Sequence, residues 1–315
     1  MSPGYLSLIV KFNTLAFFAV AAFGEACFGS DPENELRELV KLNREKIEVA
    51  YATPVQGPIL RVSFFDDEQL FNATLPLLRE LRSLNWLELY RIKVSPDNEK
   101  ELSSLRIKRL SYERKGDTSE EVKWVQNLKV VEKISLAKDK TLSDAAIDHL
   151  SSLPNLKELD VSFTSITGRC FAKADGFRSL KSLNLYGCPV DDEGLKAICN
   201  VKQLMVLDIM HTTVTAGGLT PVIDMHHLVE FSFALKGKEN SSVMQKLGLA
   251  HFESKKRARE AGEDVPPDAL TPFSYYIRDL VPKPTRQEVL DGVEYERKHR
   301  YEQPPNNPEP TTPAL

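Results

Sequence analysis

Tryptophan occurs only twice in this 315-residue chain, cysteine four times and histidine six times. That scarcity removes several chemistries. The cysteines, at 27, 170, 188 and 199, do not form the dense pattern of a small disulfide scaffold. No Cys/His spacing suits zinc, and His226 and His227 are adjacent, which is poor geometry for a shared metal. No cofactor is expected. Basic charge is not in excess either, since 41 Lys and Arg face 45 Asp and Glu for a net charge of −4. The balance gives no electrostatic reason to expect nucleic acid. The apolar run from Leu15 to Phe23 falls short of the about 20 residues that span a bilayer. It follows Lys11 and precedes the small residues Gly24 and Ala26, the layout of an export signal at 1–26. An exported product is expected, secreted, periplasmic or on the cell surface, with membrane attachment only through this segment if it stays uncleaved. Cys27 raises lipidation, but Gly24 stands where an aliphatic residue would be needed.

Hydrophobic residues make up 42% of the chain, enough for a sizeable core. They are periodic. The stretch "LKSLNLYGCPVDDEGL", Leu180 to Leu195, has the frame L-x-x-L-x-L-x-x-C, and the same frame stands in "LKELDVSFTSITGRCF" and "LMVLDIMHTTVTAGGL". Leu156, Leu180, Leu204 and Leu228 are each 24 residues apart, and Val131, Ile107 and Leu84 continue the series backward at spacings of 25, 24 and 23. A looser copy begins in "ILRVSFF". Self-similarity at such a period is the mark of a solenoid.

The second half of each unit repeats too. An aliphatic residue precedes a Ser, Thr or Asp, and apolar residues follow at helical spacing. Ser95, Thr118, Ser143, Thr167, Asp191 and Thr215 therefore stand where helix N-caps belong.

On these motifs the chain resembles the leucine-rich repeat family over roughly residues 59–236, most closely its cysteine-containing subtype, although its units are about two residues shorter. The resemblance implies an α/β solenoid with a parallel sheet on the concave face and short helices on the convex face. Segment 31–58 is expected to cap the first repeat, with a helix burying Leu36, Leu39, Val40 and Ile47. Segment 237–265 is expected to cap the last, through a helix from about Ser241 carrying Val243, Met244, Leu247 and Phe252. Lys255, Lys256, Arg257 and Arg259 read as its solvated face. Residues 266–315 hold ten of the nineteen prolines and read as largely disordered, although "TRQEVLDGVEYERKHRYEQ" has the composition of a charged helix.

Cys188 sits at the ninth place of its repeat, where Thr164 and Thr212 stand in the neighbouring units, so a structural role is expected rather than a nucleophile. Strand alternation sends Asp160, Asn184 and Asp208 to the concave side. The places just after the strands add Phe163, Tyr186, Met210 and His211, and the earlier repeats carry Arg91, Arg114 and Lys138 there. Aromatic residues and Met are enriched at interfaces. The expected function is non-catalytic recognition of a protein or envelope component through this face. A hydrolase built on Asp160, Asp208 and His211 is the rival, although the carboxylates would stand about 10 Å apart, two strands away from each other. The family also supplies substrate-recognition arms of F-box ubiquitin ligase subunits. That role requires an F-box where this chain has its export-like segment.

Overall fold

The computed structural model describes residues 31–52, 57–113, 119–173, 176–234 and 241–262. Residues 1–26, expected to be an export signal, lie outside the described residues, as do Cys27, Arg114, Thr118 and the proline-rich tail. One nine-stranded sheet runs in sequence order. Its strands are β1 (Ile47–Tyr51), β2 (Ile59–Phe65), β3 (Trp86–Tyr90), β4 (Arg109–Glu113), β5 (Lys133–Ser135), β6 (Glu158–Asp160), β7 (Ser182–Asn184), β8 (Val206–Ile209) and β9 (Glu230–Phe233). From β2 onward every neighbour pair is parallel. Leu87, Leu110, Ile134, Leu159, Leu183, Leu207 and Phe231 form one unbroken row of paired residues, all buried. The one-residue differences among the 23-, 24- and 25-residue spacings are therefore absorbed in the returns, and the register of the sheet is untouched.

The returns alternate in kind. α2 (Glu68–Glu80) and α3 (Pro96–Leu102) are followed by a 3₁₀ segment, η1 (Ser119–Asn127). Then come α4 (Asp144–Leu150), η2 (Arg169–Ala172), α5 (Asp192–Ile198) and η3 (Thr220–Asp224). The two forms divide by composition. The α returns open on Ser-Pro-Asp, Ser-Asp and Asp-Asp, good first turns. The η2 and η3 returns carry Gly168 or the pair Gly217–Gly218, with Pro221 in η3, and fall back on the tighter three-residue turn.

This alternation corrects the expected set of caps. Ser95 and Asp191 do cap their helices, accepting from the amides of Asn98 and Gly194. Ser143 holds the cap position of α4 without the side-chain cap bond. Thr167 and Thr215 do not open α-helices, although Thr215 Oγ1 still accepts from the amide three residues on, that of Gly218, at 3.3 Å. Each is bound by the first-turn aspartate of the α return before it. Asp144 accepts the amide and hydroxyl of Thr167, and Asp192 accepts those of Thr215 at 2.7 Å each. These carboxylates stitch consecutive repeats along the convex edge.

Just past the strand ends the chain makes a left-handed step at the same place in repeat after repeat. Asp66, Arg91, Lys138, Phe163 and His211 have positive φ, as does Gly187. The step keeps the ladder going: the amides of Lys138, Phe163 and Gly187 donate to the carbonyls of Ser162, Tyr186 and Met210 in the next repeat. For side chains other than glycine this conformation costs about 1 kcal/mol or more. Lys138→Gly should therefore raise stability by about 0.5 kcal/mol, after the entropy glycine adds to the unfolded chain. A urea-denaturation midpoint no higher than that of the parent would refute this.

The ends differ from the expectation in two particulars. α1 (Pro32–Leu42) starts at Asp31, which accepts from the Glu33 amide, and buries Leu36 and Leu39. It stops at Asn43, whose side chain and backbone amide both return to the Leu39 carbonyl. Ile47 is thus not on the helix. It begins β1, where the alternating "IEVAY" pairs antiparallel with β2 and closes the sheet edge. At the other end, α6 (Ser241–Glu260) packs Leu247 into the core. The side chains of Met244 and Phe252 lie outside the described residues. Lys256, Arg257 and Arg259 are exposed as expected, but Lys255 is buried, because it falls on the same helical stripe as Leu247, Ser254 and Ala258. Among the described residues no helix is long and apolar enough to cross a membrane.

Candidate binding face

The concave side of β6 to β8 brings the expected residues together. Asp160, Asn184 and Asp208 are successive partners across the three strands. Each uses one side-chain oxygen locally: Oδ1 accepts the amide two residues on, from Ser162 at 3.0 Å, Tyr186 at 3.0 Å and Met210 at 2.8 Å. This Asx turn lifts the chain out of the strand and into the left-handed step. It also places the next side chain, Tyr186 or Met210, beside the sheet. The second oxygen of Asp160 accepts from Ser135 at 3.2 Å. Burial pushes the Asp208 carboxyl above its ordinary range and the Asp160 charge adds to this, while the Met210 amide and His211 pull it down.

Beside this polar row runs a chain of rings. Phe163 and Tyr186 have centroids 5.0 Å apart, and Tyr186 meets His211 edge-on at 4.9 Å. Lys140 Nζ lies 5.8 Å from the Phe163 ring on the opposite side. Phe163 leaves 41% of its surface exposed. Two features hold it there. Its own backbone is left-handed, and Gly187 in the next repeat presents no side chain: a Cβ on Gly187 would stand 2.8 Å from Phe163 Cδ1. Glycine at 187 therefore serves the ring resting on it; its φ of +67° is one that Lys138 and Phe163 adopt at the same step.

The residues of the hydrolase reading do not converge. Asp160 and Asp208 sit on strands separated by β7, with Asn184 between them. His211 points its ring at Tyr186. Cys188 is buried, its Sγ 3.1 Å from the Val161 carbonyl and 3.3 Å from the Thr164 hydroxyl. Burial raises its thiol pKa. Thr164 and Thr212 instead bond the carbonyl three residues back in their own repeat, those of Val161 and Ile209. The ninth place thus ties the turn to its own strand where it carries Thr and to the preceding repeat where it carries Cys.

A row that the sequence reading passed over lies one alternation earlier. Trp86, on β3, is flanked by the guanidiniums of Arg61 at 5.1 Å and Arg109 at 5.6 Å. Its indole nitrogen donates to Ser111 at 3.4 Å. Arg61 also approaches Glu88, which accepts a 2.5 Å bond from Ser63. The signal was in the alternation: the residue before each buried strand leucine shares a face with the residue after it. This row changes the picture of the sheet. Arg61, Arg109 and Lys133 stand on its first half among Glu48, Glu88 and Glu113, while its second half carries Glu158, Asp160, Asp208 and Glu230 with no Lys or Arg on the same side. The ladder of Arg91 and Lys138 stands at the left-handed step on the rim, with Arg91 paired to Asp66.

Comparison with known proteins agrees with this architecture. A family model described as Leucine Rich repeat matches residues 178–199, the unit that contains β7 and the start of α5. No curated protein matches the chain. Among solved structures, one described as a TLR13–ssRNA13 complex is 20% identical over 54% of this chain and 25% of its own, with a TM-score of 0.41. An internalin, InlF, from Listeria monocytogenes is 17% identical over 55% of this chain and 54% of its own, with a TM-score of 0.39. The Arabidopsis receptor kinase HAESA, solved with the peptide hormone IDA and the co-receptor SERK1, is 13% identical over 63% and 38%, with a TM-score of 0.39. This chain therefore spans between about a quarter and about half of the length of these structures. The sequence period, the in-register parallel ladder and the family match on residues 178–199 lead to one conclusion: the protein is a leucine-rich repeat protein.

Proposed function

We propose that the protein is an exported, non-catalytic recognition scaffold that holds a protein partner on the concave side of β6 to β8. One observation carries the reading: Phe163, Tyr186 and His211 form a continuous run of rings beside Asp160, Asn184 and Asp208. A rigid aromatic strip against a polar row offers apolar contact area and hydrogen bonds together, the combination that interface centres use. The strip is fixed by backbone geometry, so little side-chain freedom is lost on binding. Export rests on the N-terminal segment ending at Ala26.

The exclusion of nucleic acid that net charge suggests does not extend to the whole surface. Local charge and aromatic stacking decide such binding, and the Arg61 and Arg109 guanidiniums flank the Trp86 ring on the first half of the sheet. The test is a crosslinking capture from the native host, with and without nuclease. The bait would be the full chain, compared with a variant carrying Tyr186→Ala, Met210→Ala and His211→Ala. A protein held by the parent and reduced at least tenfold in the variant is the expected result. Equal capture by both would remove the aromatic strip from the reading. Loss on nuclease treatment would replace the protein partner with nucleic acid. The recovered bait, sequenced from its N-terminus, begins at Cys27 if the chain is exported and cleaved.

A further inference from the structure

β1 covers the edge of β2 and in doing so presents an edge of its own. The phase of the hydrogen bonds fixes which groups face outward. Phe65 donates to the Lys46 carbonyl and Ala52 to the Pro58 carbonyl. Bonding residues alternate along an antiparallel strand, so Glu48 and Ala50 turn their backbone groups toward β2. Those of Ile47, Val49 and Tyr51 turn away. The register shift between Ala50 and Tyr51 places the extra residue, Leu60, on β2, so β1 keeps its alternation past the bulge. The Ile47 amide returns to the Asn43 carbonyl. Among the described residues, nothing pairs with the amides of Val49 and Tyr51 or with the carbonyls of Ile47, Val49 and Tyr51.

Exposed edges are commonly blunted by proline, by lysine or by a bulge in the edge strand itself. β1 has none of these, and its sequence, "IEVAY", is rich in strand formers. The core is also incompletely covered at this end. Val40, Val49 and Tyr51 are only partly buried against it, and Leu42, which ends α1, is 66% exposed.

The strand is complementary to itself. Antiparallel pairing about a twofold axis at Val49 uses all five residues. It sets Val49 against the partner's Val49 and Ile47 against the partner's Tyr51, an aliphatic–aromatic pair of the kind that stabilises sheets. Glu48 falls opposite the partner's Ala50, so no like charges stand directly across. A register centred one residue earlier would oppose the two Glu48 carboxylates. One centred a residue later would leave Ile47 beyond the end of the partner's strand. The Val49 register also supplies four bonds to the unpaired groups, two between the Val49 residues and two from Tyr51 amides to Ile47 carbonyls.

We infer that two copies of the protein associate through β1, antiparallel about a twofold axis at Val49, to form one continuous sheet. Two five-residue strands make a small interface, so the dimer should be weak, with a Kd on the order of 10 µM. The concave side of β6 to β8 takes no part in it, so failure of this inference leaves the recognition reading standing.

The experiment has two arms. In the first, light scattering on eluting full chain should show the mass rising from monomer at about 1 µM to dimer at about 100 µM. Val49→Pro removes an amide that faces away from β2, so the β1–β2 ladder keeps its bonds. It should weaken the dimer at least tenfold with an unchanged circular dichroism spectrum. In the second, Val49→Cys and Glu48→Cys are oxidised mildly beside the parent. The twofold brings the two Cα atoms at 49 to about 5.5 Å, within disulfide range. Those at 48 stand diagonally, at about 7–8 Å. Val49→Cys should therefore give covalent dimer at least tenfold faster than Glu48→Cys, although Glu48 is the more exposed residue. A chain that stays monomeric at about 100 µM would overturn the inference and leave the edge to a strand of another protein. A dimer unmoved by Val49→Pro would also overturn it, as would growth past the dimer or faster linking at 48 than at 49.

Discussion

Gly194→Ala should destabilise the protein by about 3 kcal/mol, at the upper end of the usual cost of overpacking. Gly194 lies in the first turn of α5, where its amide is capped by Asp191. A Cβ there would collide with the Thr167 carbonyl oxygen of the preceding repeat and stand 3.2 Å from Val190 Cγ1. The obstacle is backbone, so no rotamer change relieves it. Thr167 is itself held by Asp144, so it cannot step aside without breaking the link to α4. Urea denaturation followed by circular dichroism measures the effect. Gly217→Ala is the control, because its nearest obstacle would be the Thr215 hydroxyl at 3.7 Å and its backbone is not left-handed. Gly217→Ala should stay within about 0.5 kcal/mol of the parent. Equal losses for the two variants would mean that the close approach of α5 to the preceding repeat is not what glycine serves.

Phe171→Ala should cost about 4 kcal/mol, the common range for deleting a fully buried ring. Phe171 is completely buried in η2 and packs on Phe177 at 5.0 Å. It fills the space between a narrow 3₁₀ return and the sheet, as Trp124 does in η1. Alanine at 171 removes the filler without changing the width. Phe163→Ala provides the contrast, because that ring is 41% exposed and should change stability by less than about 1 kcal/mol. The two phenylalanines, eight residues apart, thus separate a loss of fold from a loss of surface. A stability change of similar size for both would contradict the assignment of Phe163 to the surface.

The sheet was legible because its determinant is one-dimensional. Each strand leucine recurs with the unit, and the side-chain period of two assigns faces without knowledge of neighbours. That reasoning placed Asp160, Asn184, Asp208 and Tyr186 on one side of the sheet. The alternation of α and 3₁₀ returns was not legible in the same way. Apolar spacing over a single turn is nearly the same in both, so the choice falls to Gly168, Gly217, Gly218 and Pro221 and to packing against the adjoining repeat. The reassigned threonines have the same origin, because a hydroxyl at a cap position also suits an acceptor on the previous unit. Ile47 was drawn into a helix by counting past Asn43, which ends it. Lys255 was assigned to solvent by its charge, although its position on the helix sets its burial. The Asx turns at 160, 184 and 208 had a readable signal, an Asp or Asn at or next to the last residue of its strand. The ring-to-ring contacts depend on the left-handed step, which no residue type at 163 or 211 announces.

The aspartate stitches recur at every second unit, from Asp144 to Thr167 and from Asp192 to Thr215. The natural module of this chain is therefore a doublet of about 48 residues, not the single unit that its leucines display. Gain or loss of a doublet by recombination would rejoin donor to acceptor and narrow return to wide. An odd change among the units from α4 to η3 would leave a carboxylate facing the wrong neighbour; α2 and α3 already stand side by side as returns of one kind, so the stitch, not the return, sets the doublet. Length variants of such a protein that remain folded should differ by even numbers of turns.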